Sequence, residues 1–370
     1  MTAARHAPGL PVEVDTLAEL DALVATGSTS MRGWRLQDLD LTGRSGRLRS
    51  LDPAGALLLG CDVLPADEEW LRAHGALVFP DVPDVPFDAY RGTLYTAAEL
   101  YDGLDRGYDA TVDARVYAWS RGPARGDVAA TLAQSLHDHA VDDALDELLV
   151  HRTGVVGVMG GHAMARGTPE YAEAAYLGQA LARRGLMVST GGGPGAMEAA
   201  NLGARAASLD MAALDEVLGR LAAAPSYSPS VSSWAAPALS LLETLGEPAV
   251  PTLGIPTWFY GHEPPNPFPT HVAKYFRNAL REDTLLRVCS GGIVFLPGAA
   301  GTVQEIFQDA CENYYAEPDR RAPMVLVGED YWTRTFPAWP LLEALAGAKG
   351  FTDKVFLVDS WSDAADVLVR

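Results

Sequence analysis

The sequence predicts an α/β fold, with a doubly wound parallel sheet preceded by a smaller mixed α/β domain. Three observations carry that prediction. Short β-branched runs alternate with helix-like segments through the C-terminal two-thirds of the chain. Two of those runs end in glycine-rich turns that open helices. The first 125 or so residues follow neither rhythm. Regular strand–helix alternation implies parallel strands joined by right-handed crossovers.

Taken in order, VVGVMG (155–160) reads as a buried strand. PEYAEAAYLGQALARRG (169–185) follows, with proline at its start and glycine at its end, the usual helix punctuation. LMVST (186–190) is the next strand, then a glycine cluster and the helix-like AMEAANLGARAASL (196–209). Further strands are expected at 291–296, 323–328 and 354–359, with helices at 302–315 and about 338–346. The stretch 225–269 breaks the pattern with PSYSPSVSSWAAP and PTWFYGHEPPNPFP. Proline removes a helical N–H and clashes with the preceding turn, so this reads as a loop-rich insertion over the ligand site.

The domain division is placed at 125/126, giving a small mixed domain over 1–125 and a sheet domain over 126–370. AELDALVATG (18–27) is a helix candidate, and no internal repeat stands out. A long helix over 127–152 joins the two parts. It carries His137, Asp138 and His139, whose spacing does not converge on one helix face, so a solvated acidic surface is expected there and no metal.

With 370 residues, 48% apolar and 21% charged, the chain can bury a substantial core. No apolar run approaches the ~18 residues of a membrane span. The N-terminus lacks the apolar core of a secretory signal, and Cys61, Cys289 and Cys311 show neither disulfide-framework nor zinc spacing. A reducing cytoplasm is the expected location. A formal net charge of −20 argues against a nucleic-acid partner, since phosphate neutralisation needs a basic surface. A small phosphorylated ligand is still allowed, because a nest of backbone N–H groups acts locally.

STGGGPGAMEAAN (189–201) and PGAAGT (297–302) supply such nests: each follows a strand and opens a helix. Ligands of open α/β sheets bind outside the strand C-termini, between such loops. Neither stretch is a Walker A loop, and VGVMGGHAMARG (156–167) lacks the full dinucleotide spacing. Thr302 and Glu305 also have the spacing of a capping box, so helix capping and chemistry are both open readings of Glu305.

GGGPGAMEAANLGA together with PGAAGTVQE resembles the LOG family of Rossmann-like proteins over roughly residues 153–330. The family signatures are a Gly-Gly-Gly turn and Pro-Gly-Gly-x-Gly-Thr-x-x-Glu. The resemblance implies a phosphoribohydrolase that cleaves a nucleoside 5′-monophosphate into free base and ribose 5-phosphate, with no cofactor or metal and as a homodimer. It implies a catalytic glutamate at Glu305 and a catalytic arginine at Arg281, with Arg277 the alternative on the same helix face. Implied substrate contacts are Gly160, Gly161, Gly191, Gly192, Gly193, Gly195, Glu198, Gly298, Gly301 and Thr302.

Ala299 replaces the family's second consecutive glycine, which motivates a rival reading as a non-catalytic nucleotide sensor. A lysine decarboxylase, a label sometimes given to such proteins, is rejected: Lys274 is the only lysine near the motifs and has no supporting cofactor pattern. His262 and Glu263 are candidate acids for the departing base. Met197 is read as packing, and Trp258, Phe259 and Tyr260 as core in preference to a base-stacking wall.

Overall fold

The computed structural model describes residues 12–122, 126–150, 152, 154–259 and 263–368. Two compact units are present: Met1–Thr93 with Trp119–Ala144, and Leu94–Ala118 with Leu145–Arg370. The chain therefore passes between units three times, where the sequence suggested one cut at 125/126.

The first unit holds four parallel strands in sequential order, β1 (Val12–Val14), β2 (Trp34–Gln37), β3 (Leu57–Leu59) and β4 (Leu77–Phe79). Register aligns Val14, Leu36, Leu58 and Val78 in one inward row, all buried. Just before β2, β3 and β4 lie Gly33, Gly55 and Gly75, each with positive φ. The Gly33 amide donates to the Gly55 carbonyl and the Gly55 amide to that of Gly75, both at 3.0 Å. The sequence reading found no repeat, and the structure corrects it: these are stacked coils with a period of roughly 20 residues. Little beyond a glycine and one inward aliphatic recurs per coil, too sparse a signal to read beforehand.

His137 and Asp138 also correct an expectation, since neither is solvated. Both are buried, the imidazole Nδ1 lies 3.3 Å from the carboxylate, and Phe87 packs edge-on against the ring. Burial holds the His137 pKa below its ordinary value, partly opposed by Asp138. Among the described residues no cluster of three or more such side chains could hold a metal.

The second unit is built on seven parallel strands: β5 (Val155–Met159), β6 (Met187–Thr190), β7 (Leu253–Gly254), β8 (His271–Val272), β9 (Ile293–Phe295), β10 (Met324–Val327) and β11 (Val355–Val358). Their spatial order is β11-β10-β9-β5-β6-β7-β8. Chain direction across the sheet reverses between β5 and β9, so the switch-point crevice opens at their C-terminal ends. Helices cover both faces. Val156, Val158, Val188 and Val294 join one core with the helices Pro169–Arg183 and Ala196–Arg205, while Gly157 faces Cys289. This is the expected doubly wound α/β layer structure, and among the described residues no helix is long and apolar enough to cross a membrane.

Those two helices approach unusually closely. A Cβ on Gly178 would lie 2.1 Å from the Ala200 carbonyl oxygen, and one on Gly203 would lie 1.8 Å from that of Ala175. Glycine on both helices lets backbone meet backbone just beyond the 191–195 turn.

The proline-rich stretch is more regular than expected: Val231–Leu245 is a helix that runs through Pro237. Ser230 caps it by accepting from the Ser233 amide, and Trp234, Ala235, Ala238 and Leu241 are buried. Burial of one apolar face outweighs the single hydrogen bond that proline removes.

Candidate functional site

Three corners follow β5, β6 and β9 and meet at the switch point. The Gly161 amide donates to the Pro297 carbonyl at 3.1 Å, and the Gly161 carbonyl accepts from the Ala196 amide at 3.2 Å. Gly160 and Gly161 thus tie the 191–195 corner to the 297–302 corner. Gly195 has φ 75° and ψ −129°, and a Cβ there would lie 2.5 Å from the Gly161 oxygen, so glycine is required.

The corners differ in what they offer a ligand. At 191–195 several polar groups are satisfied within the protein, although among the described residues the amides of Gly191 and Gly193 have no protein acceptor. The Gly192 amide bonds the Thr190 hydroxyl, and the Gly192 and Gly193 carbonyls accept from Asn266. Asn266 in turn reaches Asn201, which bonds Thr190 and Thr252. Asn266, Asn201 and Thr190 thus brace this corner from behind.

The 297–302 corner is open. The helix Ala300–Tyr315 begins after Ala299, which offers no side-chain cap. Among the described residues the amides of Ala299, Ala300, Gly301 and Thr302 have no protein acceptor. The same holds for the Thr302 hydroxyl, which lies so close to Gly298 that a Cβ there would be 2.1 Å from it. Free N–H groups at the positive end of a long helix suit an anion. The capping-box reading fails on the same geometry: Thr302 is the third helical residue, and Glu305 lies within the second turn.

Glu305 faces Arg281, with Nη1 and Oε1 3.8 Å apart and side-chain exposures of 11% and 16%. Arg281 is fixed from the glycine side, its Nε donating to the Ile255 carbonyl at 2.7 Å and Nη2 to Gly191 at 3.2 Å. One guanidinium therefore spans from the 191–195 corner to the carboxylate on the 300–315 helix. Burial pushes the Glu305 pKa up to about 7, against the pull of Arg281 and with a small push from Glu282. A carboxylate poised there can hold or take a proton at neutral pH. Arg277, the alternative, is the exposed residue preceding the helix Asn278–Arg287.

Glu198 is the site residue that the structure turns elsewhere. Only 1% exposed, it accepts from Arg166 Nε at 2.8 Å, and Arg166 stacks over Trp234. Its carboxylate supports the corner from the core. Met197 packs against Gly191 and Gly193, as expected. Trp258 is buried, Phe259 is exposed, and Tyr260 and His262 lie outside the described residues. Glu263 sits 3.5 Å from His162 Nδ1.

Sequence reasoning missed Arg166, Asn201 and Asn266, which hold the second corner; no local motif marks them. The sequence profile of the SLOG cluster4 family matches residues 153–209. No curated protein matches the chain. Among solved structures, the molybdenum cofactor binding protein from Rippkaea orientalis is similar at 16% identity and a TM-score of 0.37, over 59% of this chain and 97% of that one. The Moco carrier protein from Chlamydomonas reinhardtii is similar at 16% identity and a TM-score of 0.35, over 59% and 98%. The stretch 153–209, from β5 through the 191–195 corner into the following helix, is thus similar to the SLOG cluster4 family, within a sheet of Rossmann-like architecture.

Proposed function

We propose that this protein hydrolyses the N-glycosidic bond of a nucleoside 5′-monophosphate, releasing free base and ribose 5-phosphate. The observation that supports this most is the pairing of unsatisfied amides at 299–302 with Glu305, further along the same helix, and its partner Arg281 on the helix Asn278–Arg287. In this reading the amides and the Thr302 hydroxyl hold the 5′-phosphate. Glu305 lies beneath the ribose, where ionised carboxylate stabilises the positive charge that develops as the bond to the base breaks. Water forms the new bond to C1′ and gives up a proton, which Glu305 can accept. The electron pair of the broken bond leaves on the base nitrogen, which takes up a proton. The other corner walls the crevice, and homodimerisation, implied by the resemblance, belongs to the same proposal.

A sensor that binds nucleotide without turnover is the second reading, motivated by Ala299. Its φ of −96° is negative, so the position does not demand glycine through a left-handed backbone. Incubating the protein with a panel of nucleoside monophosphates separates the two. Free base and ribose 5-phosphate accumulating with at least one of them supports the hydrolase. Saturable binding without release of either supports the sensor.

A further inference from the structure

The 297–302 corner carries carbonyls as well as amides, and a carbonyl turned toward an anion repels it. Two of these carbonyls are held from within the protein. That of Pro297 accepts from the Gly161 amide at 3.1 Å. That of Gly298 accepts from the Tyr331 hydroxyl at 2.9 Å. Among the described residues it has no other donor.

Tyr331 reaches the corner from the end of β10. Gly328, with φ 101°, turns the chain toward the short helix Tyr331–Thr335. That helix is wound wider than an α-helix, the Phe336 amide donating to the Tyr331 carbonyl at 2.9 Å. A Cβ on Gly328 would touch both Tyr331 and Pro297, at 3.5 and 3.8 Å, so the two loops lie side by side. The phenol ring is held by buried Trp332, edge-on at 5.0 Å, and by Phe336 at 5.7 Å.

The bond to Gly298 matters because of what shares its peptide plane. The carbonyl of residue 298 and the N–H of residue 299 belong to one trans peptide and point in opposite directions. Drawing the carbonyl toward Tyr331 therefore turns the Ala299 N–H away from it. That N–H is one of the four without a protein acceptor, and Ala299 is exposed where Gly298 is buried. Rotating this one peptide would exchange a donor for an acceptor at the helix start. The phenol has a single proton and gives it to Gly298, so it has only lone pairs left to turn elsewhere, and these do not bind an anion.

We infer that Tyr331 is a positioning residue for the phosphate seat: through the Gly298 carbonyl it fixes the 298–299 peptide so that the Ala299 amide, and no carbonyl, faces the anion. The inference rests on the phosphate seat proposed above and adds to it a residue 33 positions downstream.

The test is Tyr331→Phe, which removes the hydroxyl and keeps a ring against Trp332 and Phe336. Calorimetry with ribose 5-phosphate should give an affinity about three- to ten-fold weaker than the parent's, the scale of one neutral hydrogen bond, with stoichiometry unchanged. Amide NMR supplies a readout that general loosening would not single out. In the parent, ribose 5-phosphate should shift the amide protons of Ala299, Gly301 and Thr302 downfield. In the variant the Ala299 response should be lost while the other two persist. An affinity within about two-fold of the parent's, or an Ala299 response that survives in the variant, overturns the role of Tyr331 alone. A crystal structure of the parent with ribose 5-phosphate decides the matter if the variant fails to fold. The Tyr331 hydroxyl should remain on the Gly298 carbonyl with a phosphate oxygen on the Ala299 amide; a hydroxyl that leaves Gly298, or a phosphate that does not touch Ala299, overturns the inference. A parent that binds no ribose 5-phosphate overturns the phosphate seat and this inference together.

Discussion

Glu305 concentrates the account at a single carboxyl group. Its identity was legible in the sequence, because a glycine turn after a strand, followed by Thr-x-x-Glu, carries a resemblance with a role attached. Its environment was not. The same Thr and Glu fit a capping box, and only the helix start at Ala300 removes that alternative. Glu305→Gln is expected to reduce turnover by about two to three orders of magnitude with an unchanged unfolding midpoint. A proportionate loss of folded protein would return the residue to a structural role. A second expectation concerns pH. Burial raises the Glu305 pKa to about 7 and the reaction uses the ionised form, so kcat/KM should fall as pH drops below that value. Arg281 lowers this pKa, hence Arg281→Met should move the acidic limb to higher pH. A limb that stays in place in that variant would mean that another group titrates.

Among the elements, the helix pair Pro169–Arg183 and Ala196–Arg205 shows what pattern reading can and cannot reach. Both helices were legible from proline, glycine and apolar spacing, yet their contact was not, because Gly178 and Gly203 look like ordinary weak points within helices. Gly203→Ala should destabilise the protein by about 1–3 kcal/mol in urea unfolding, since the methyl meets the Ala175 backbone. A neutral or stabilising result would show that the helices can part without cost. The helix through Pro237 was hidden for the opposite reason: local chemistry spoke against it and packing of Trp234 and Ala238 prevailed. At the open corner, Gly298→Ala would drive a methyl into Thr302, and ribose 5-phosphate affinity should drop at least about ten-fold with the fold retained.

For the molecule as a whole, the sheet of the second unit was readable in the strands that alternate with helices, whereas β7 and β8, two residues each, were too short to announce themselves. The coils of the first unit escaped notice because stacking, and no motif, defines them. The division of the chain matters most in practice. Segment 94–118 belongs to the second unit: Tyr95 exchanges backbone hydrogen bonds with Val272, the Tyr101 hydroxyl bonds the Pro265 carbonyl, and Asp113 pairs with Lys274. A fragment starting at 126 would leave Lys274 buried without its counter-ion and should express poorly or fail to unfold cooperatively. A well-folded 126–370 fragment would show that the segment is dispensable.

The most direct test of the central claim is a crystal structure of the Glu305→Gln protein with a bound nucleoside 5′-monophosphate. The account predicts the phosphate oxygens within hydrogen-bonding distance of the 299–302 amides and the Thr302 hydroxyl, with the anomeric carbon of the sugar facing residue 305. A phosphate seated away from that helix start, or a sugar on the far side of the crevice from residue 305, would contradict it.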